Sequence, residues 1–136
     1  VVAAPAIARS GISVLPTGYL LIEGGKSTAA SYMSNTCPIP KDQVAIITAT
    51  ALAGEQLGMR AIYLDCGSGA NNSLSIEIIE TVSERIKIPL IVGGGIRSIE
   101  EAQEKWSAGA NVVVIGTAIE KNLSLLEDFA KINEGL

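Results

Sequence analysis

The stretch that decides the fold is Val92-Gly-Gly-Gly-Ile-Arg-Ser98, read together with Ile115-Gly-Thr-Ala-Ile-Glu120 a short way downstream. Each follows a short apolar, β-branched run, Leu90–Val92 in the first case and Asn111–Ile115 in the second. Glycine-rich turns at the C-terminal ends of two consecutive strands, both near the end of the chain, match the phosphate site that (β/α)₈ barrels build after their seventh and eighth strands. A dinucleotide-binding sheet would instead place one Gly-x-Gly-x-x-Gly after its first strand, with an acidic residue roughly 20 positions on. Here Arg97 and Ser98 stand where a third glycine would be needed, so the dinucleotide reading is rejected.

Working outward, strand-like runs alternate with helical patterns. Ile12–Glu23 reads as a strand, Asp42–Leu57 as a largely buried helix closed by Gly58, and Ala61–Cys66 as a second strand. Ser75–Lys87 is amphipathic, with Ile76, Ile79, Val82 and Ile86 on one face. Leu90–Val92 follows the helix-stopping Pro89. Ser98–Ala108 opens with the capping box Ser98-x-x-Glu101 and turns Ile99, Ala102 and Trp106 inward. Asn111–Ile115 is the fourth strand and Leu123–Ile132 a closing helix. Alternation of this kind gives a parallel sheet covered by helices. About four βα units in 136 residues are either an open doubly wound sheet or half of a TIM barrel, which needs about 250 residues. The glycine placement selects the half barrel.

Bulk composition narrows the function classes. A net charge of −4 without a Lys/Arg cluster argues against nucleic acid. No apolar run reaches the roughly 20 residues of a membrane span, and Val1–Gly11 lacks the layout of a secretory signal. Cys37 and Cys66 have no metal spacing and read as free thiols in a reducing cytoplasm. With no histidine, Ser-His or Cys-His catalysis cannot be built from this chain.

A second glycine stretch, Gly18-Tyr-Leu-Leu-Ile-Glu-Gly-Gly-Lys-Ser-Thr28, ends like a nucleotide-binding phosphate loop. The motif G-x-x-x-x-G-K-[ST] would require glycine at position 20, which is Leu20. The following Pro-broken segment is not the helix whose N-terminus would receive a phosphate. The expectation is a mobile lid over about Gly25–Pro38 at a strand end, with Lys26 free to reach an anion.

The richest stretch chemically is Tyr63-Leu-Asp-Cys-Gly-Ser-Gly-Ala70. Strand alternation points Tyr63 and Asp65 the same way. Either they face the catalytic mouth of a barrel, with Gly67, Ser68 and Gly69 allowing close approach of a substrate, or Asp65 caps the next turn and Tyr63 is a core aromatic. For Gly93, Gly94, Gly95, Gly116 and Thr117, phosphate binding by backbone N–H groups competes with tight strand-to-helix packing. Arg97 could assist an anion there, although a single arginine after a turn is more often a surface residue.

Pro16–Pro40, Ala49–Ala70, Ile88–Ser98 and Gly109–Glu120 together resemble the geranylgeranylglyceryl phosphate synthase or PcrB family, over what would be its C-terminal half. That resemblance implies a (β/α)₈ barrel whose N-terminal half this chain does not cover. It implies transfer of a prenyl group from a polyprenyl diphosphate to the 3-hydroxyl of sn-glycerol 1-phosphate, with Mg²⁺ bound by an aspartate near the first barrel strand and thus no metal ligand here. By the same resemblance Tyr63 binds glycerol phosphate and Asp65, a glutamate in many members, takes the hydroxyl proton. Gly93, Gly94 and Gly95, with Gly116 and Thr117, hold the phosphate, and Gly67, Ser68 and Gly69 line the pocket. A cytoplasmic homo-oligomer is implied, while prenyl length is set by the uncovered strands. Two rivals stand beside it: another phosphate-substrate barrel enzyme, an isomerase or lyase, and a non-catalytic phosphate-binding half barrel.

Overall fold

The computed structural model describes residues 2–25, 32–33 and 35–133, with side chains up to residue 130. Helix α1 (Ala4–Ser10) is closed by Gly11 in the left-handed conformation. The elements that follow are β1 (Thr17–Leu21), α2 (Val44–Gln56), β2 (Ala61–Asp65), α3 (Ile76–Ser83), β3 (Leu90–Gly93), α4 (Ile99–Ser107), β4 (Val112–Val114), α5 (Thr117–Lys121) and α6 (Ser124–Asn133). All three strand pairings are parallel, and the sheet order is β1-β2-β3-β4.

That order carries the architecture. A doubly wound sheet reverses direction at a switch point and puts helices on both faces. Strands added one after another by crossovers of the usual right hand put every helix on the same face. The core agrees. Leu20, Ile62, Leu64, Leu90 and Val92 point from the sheet into the layer formed by Ile47, Ala51, Ile78, Ile79, Val82 and Ala102. The fold is therefore one arc of a TIM barrel, with its helices on the outside.

The opposite, concave face is set by register. One row runs Tyr19–Tyr63–Ile91–Val112 across the four strands, and the next runs Leu21–Asp65–Gly93–Val114. No helix among the described residues packs on Tyr19, Val112 or Val114. Tyr19 is 50% exposed, Val112 46% and Val114 40%.

The helix ends follow local chemistry. Ser75 and Ser98 sit in extended conformation and accept from Ile78 N and Glu101 N, each N-cap being worth about 1 kcal/mol. The expected capping box is shifted by one residue, because the Glu101 carboxylate accepts from Arg97 N at 2.8 Å instead of from Ser98. The first strand is shorter than the run Ile12–Glu23 suggests. Pairing begins where Arg60 N donates to the Pro16 carbonyl, and Ile12, Val14 and Leu15 stay exposed, with no strand beside them among the described residues. Pro16 itself has no N–H to offer a ladder. Helix α5 was not foreseen, and Ile86 lies just beyond α3 while still buried. Lys26 and half of the expected lid, residues 26–31 and 34, lie outside the described residues. No helix among the described residues is long and apolar enough to cross a membrane.

Candidate active site

The C-terminal ends of the four strands gather the chemistry. Asp65 is the last residue of β2, and Tyr63 stands two positions earlier on the same face. Tyr19 lies beside Tyr63 in register on β1, and the two rings meet edge to face with centroids 5.3 Å apart and planes at 84°. The Tyr19 hydroxyl donates to Asp65 Oδ2 at 2.5 Å. The second carboxylate oxygen, Oδ1, accepts from Gly67 N at 2.8 Å. Asp65 thus receives two hydrogen bonds on different oxygens, which fixes the carboxylate plane.

Electrostatics follow from this cluster. Partial burial, with the Asp65 charge second, pushes the Tyr63 phenol up to about 12. Burial, followed by its hydrogen bond to Asp65, raises Tyr19 well above the ordinary phenol range. Each tyrosine is therefore a stable neutral donor beside a carboxylate. The Cys66 thiol, buried on the other face, is pushed up to about 12 by burial and then by Asp65. Its side chain belongs to the core and not to the site.

A cavity of about 490 Å³ opens in front of Tyr63 and Asp65. Ser68, Gly69, Gly94, Gly95, Gly116 and Thr117 contribute to its wall, joined by Arg97 and Lys121. Ser68 Oγ and Thr117 Oγ1 approach to 3.4 Å and bridge the loop after β2 to the start of α5. Gly67 and Gly93 stand just behind this wall: Gly67 N is spent on Asp65, and a Cβ on Gly93 would run into the Tyr63 ring. The sequence-derived residues, Lys26 apart, are therefore brought together at one mouth. Asp65 is a strand-end carboxylate that lines the cavity and also fastens its own loop.

The glycines separate into two kinds. At Gly94, φ is +85° and a Cβ would stand 2.7 Å from Asp65 Oδ1 and 2.8 Å from Cys66 N and Gly67 N. At Gly95, φ is +75° and a Cβ would stand 2.7 Å from the Asn72 carbonyl oxygen. These two are demanded by the fold whether or not an anion binds. At Gly116, where φ is −115°, an added methyl would find nothing within 4 Å. Packing gives no reason for glycine there.

Sequence reasoning passed over Tyr19 and Lys121 and left Arg97 undecided. The signal for Tyr19 was present in its parity with Tyr63 once the β1–β2 register is known. Among the described residues no three Asp, Glu, Cys or His side chains are grouped to hold a metal ion, and Asp65 is the one carboxylate on the cavity wall.

The match to known proteins falls on this same arrangement. The model of the PcrB family covers residues 4–134. The chain belongs to the PcrB family. It is 48% identical over 130 residues to the geranylgeranylglyceryl phosphate synthase of Chitinophaga pinensis, covering 96% of this chain and 52% of that protein. It is 44% identical to the synthase of Korarchaeum cryptofilum, covering 98% and 55%. The crystal structure of (S)-3-O-geranylgeranylglyceryl phosphate synthase from Thermoplasma acidophilum, in complex with its substrate sn-glycerol-1-phosphate, superimposes with a TM-score of 0.84 at 31% identity, over 92% of this chain and 50% of that one. The PcrB chain thus spans about half the length of the relatives it matches.

Proposed function

We propose that this PcrB chain is the acceptor-binding, C-terminal half of a single TIM-barrel prenyltransferase, which joins a polyprenyl diphosphate to the 3-hydroxyl of sn-glycerol 1-phosphate in ether-lipid synthesis. The observation that carries the reading is the pairing of one doubly hydrogen-bonded carboxylate, Asp65, with a cavity whose wall includes Gly116 and Thr117. A small polar molecule with an anionic end and a hydroxyl end fits that polarity. The similarity to a synthase crystallised with sn-glycerol-1-phosphate supports the same substrate.

In the proposed reaction, glycerol phosphate lies with its phosphate at Gly95, Gly116 and Thr117, where backbone N–H groups and the positive charge of Lys121 favour an anion. Tyr63 closes on the glycerol, and the 3-hydroxyl points at Asp65. The bond between C1 of the prenyl group and the diphosphate oxygen breaks, and diphosphate leaves with the electron pair. The glycerol oxygen forms the new bond to C1, and its proton passes to Asp65 as general base. The same carboxylate places a negative charge beside the allylic carbon as cationic character develops there. Tyr19 donates to Oδ2 and Gly67 N to Oδ1, which holds the carboxylate in place while each oxygen keeps a lone pair able to accept a proton. The Mg²⁺-binding aspartate and much of the prenyl groove belong, on the family resemblance, to the barrel's N-terminal half.

The test incubates the full-length protein with sn-glycerol 1-phosphate, Mg²⁺ and prenyl diphosphates of several lengths. Ether product with at least one donor is expected. Absence of product with every donor would sink the proposal, and isomerisation or lysis of a phosphorylated substrate would replace it.

A further inference from the structure

The loop from Gly67 to Leu74 has no regular structure of its own, yet it reaches Asp65, Thr117, Arg97 and the loop after β1. It is tied at its start by Gly67 N on Asp65. Its middle is tied to the loop after β1, where the Gly24 carbonyl accepts from Asn71 N at 3.0 Å and Asn72 N at 3.2 Å. Its far side is held by two cations of the third βα unit. Arg97 Nη2 donates to the carbonyls of Ala70 at 3.0 Å and Asn71 at 3.2 Å. Lys105 Nζ donates to the Leu74 carbonyl at 2.7 Å.

Lys105 is an odd residue for its place. It lies on the inner side of α4, 5% exposed, where a helix would ordinarily carry leucine or methionine. Burying an ammonium costs several kcal/mol unless it is well paired. Its one described hydrogen-bond partner is a neutral carbonyl, at the residue just before the Ser75 N-cap of α3. A methionine would fill that space without the desolvation cost, so packing does not account for the charge. Fixing the end of the loop does. Arg97 is anchored in turn, because its own N–H is held by Glu101 in the first turn of α4.

We infer that Arg97 and Lys105 are positioning residues: a two-cation clamp that sets the Gly67–Leu74 loop, and through it Ser68, Gly69 and the Asp65 carboxylate, before substrate arrives. The inference deepens the glycerol phosphate reading and rests on it for its kinetic consequence. Neither residue needs to touch the reacting atoms. Three loops, after β1, β2 and β3, are stitched side by side, and the clamp makes the mouth a preformed surface whose ordering is not charged to binding.

The test uses the full-length protein carrying Arg97→Ala, Arg97→Lys or Lys105→Met. Hydrogen bonds from charged donors are lost, so KM for sn-glycerol 1-phosphate should rise roughly tenfold in Arg97→Ala and in Lys105→Met. KM for the prenyl diphosphate should stay within about twofold, and amide exchange should quicken within residues 67–74. Arg97→Lys, which keeps a charged donor within reach of the carbonyls, should recover most of the loss. A raised KM with unchanged exchange in that loop would make Arg97 a direct ligand and overturn the clamp. A lowered Tm with unchanged KM would reduce both residues to general stability and overturn it equally. Should the unsubstituted protein form no ether product, the proposed reaction fails by itself. The clamp is then decided by exchange and by affinity for inorganic phosphate, which must change together in the variants or the clamp fails too.

Discussion

Tyr19 and Asp65 stand 46 residues apart in the chain and meet in a 2.5 Å hydrogen bond at the ends of neighbouring strands. The contact exists because β1 and β2 pair in a register that sets Tyr19 against Tyr63 and Leu21 against Asp65. A phenol held neutral and aimed at Oδ2, with Gly67 N on Oδ1, fixes the plane of the carboxylate. In the full-length protein, Tyr19→Phe should therefore lower kcat roughly tenfold, the loss expected for one hydrogen bond to a charged group. KM for glycerol phosphate should change less than about threefold. Steady-state kinetics check this, and an unchanged kcat would remove Tyr19 from the account.

The glycines give a paired test of packing against ligand approach. Gly94→Ala places a methyl against Asp65 and the backbone of Cys66 and Gly67 at positive φ, so it should lower Tm and disable the site together. Gly116→Ala meets open space, so Tm should hold while affinity for glycerol phosphate falls. Thermal melts and titration calorimetry on the two variants separate the cases. Undiminished affinity in Gly116→Ala would move the phosphate away from that turn.

Much of this could be read in advance, and particular residues show why the rest could not. The alternation of apolar runs with helical patterns located four strands, and strand parity placed Tyr63 with Asp65. Capping serines marked the starts of α3 and α4 because their chemistry is local. Tyr19 escaped because its partner is chosen by register across a crossover, which leaves no local trace. The clamping roles of Arg97 and Lys105 escaped because their acceptors are main-chain carbonyls, which every residue has. On periodicity alone Lys105 belongs to the wet side of α4, and only the loop beside it explains its burial. Strand β1 was overextended because Ile12, Val14 and Leu15 look like core but have no strand to pair with among the described residues.

Thiol chemistry should follow exposure. Cys37 is exposed, whereas Cys66 is 2% exposed with its thiol pushed up to about 12 by burial. The thiolate is the reactive form. Native protein treated with iodoacetamide near pH 8 should be labelled at Cys37 and not at Cys66, with Cys66 reacting on denaturation. Peptide mapping reads the outcome, and prompt native labelling of Cys66 would show that the β2 end opens readily.

The tyrosines give stability a defined alkaline limit. Tyr63 titrates near 10 when unfolded and is raised to about 12 in the fold, so the folded state holds its proton longer. Between those values the unfolded chain binds fewer protons, and stability must fall as pH rises from about 10 to about 12. Below about 10 both states are protonated and this contribution is constant. Denaturant midpoints measured from pH 8 to 11 should decline above 10, less steeply in Tyr63→Phe. An equal decline in that variant would place the alkaline sensitivity elsewhere.

The central claim is that Asp65 takes the proton of an acceptor bound by its phosphate at Gly95, Gly116 and Thr117. Asp65→Asn in the full-length protein keeps the shape and the Tyr19 contact while removing the base. Single-turnover ether formation and calorimetric binding of sn-glycerol 1-phosphate are measured on the same sample. Turnover should fall by about 10²- to 10⁴-fold, as for loss of a general base, with binding within about threefold of the parent. Loss of binding in proportion to turnover, or turnover left intact, would contradict it.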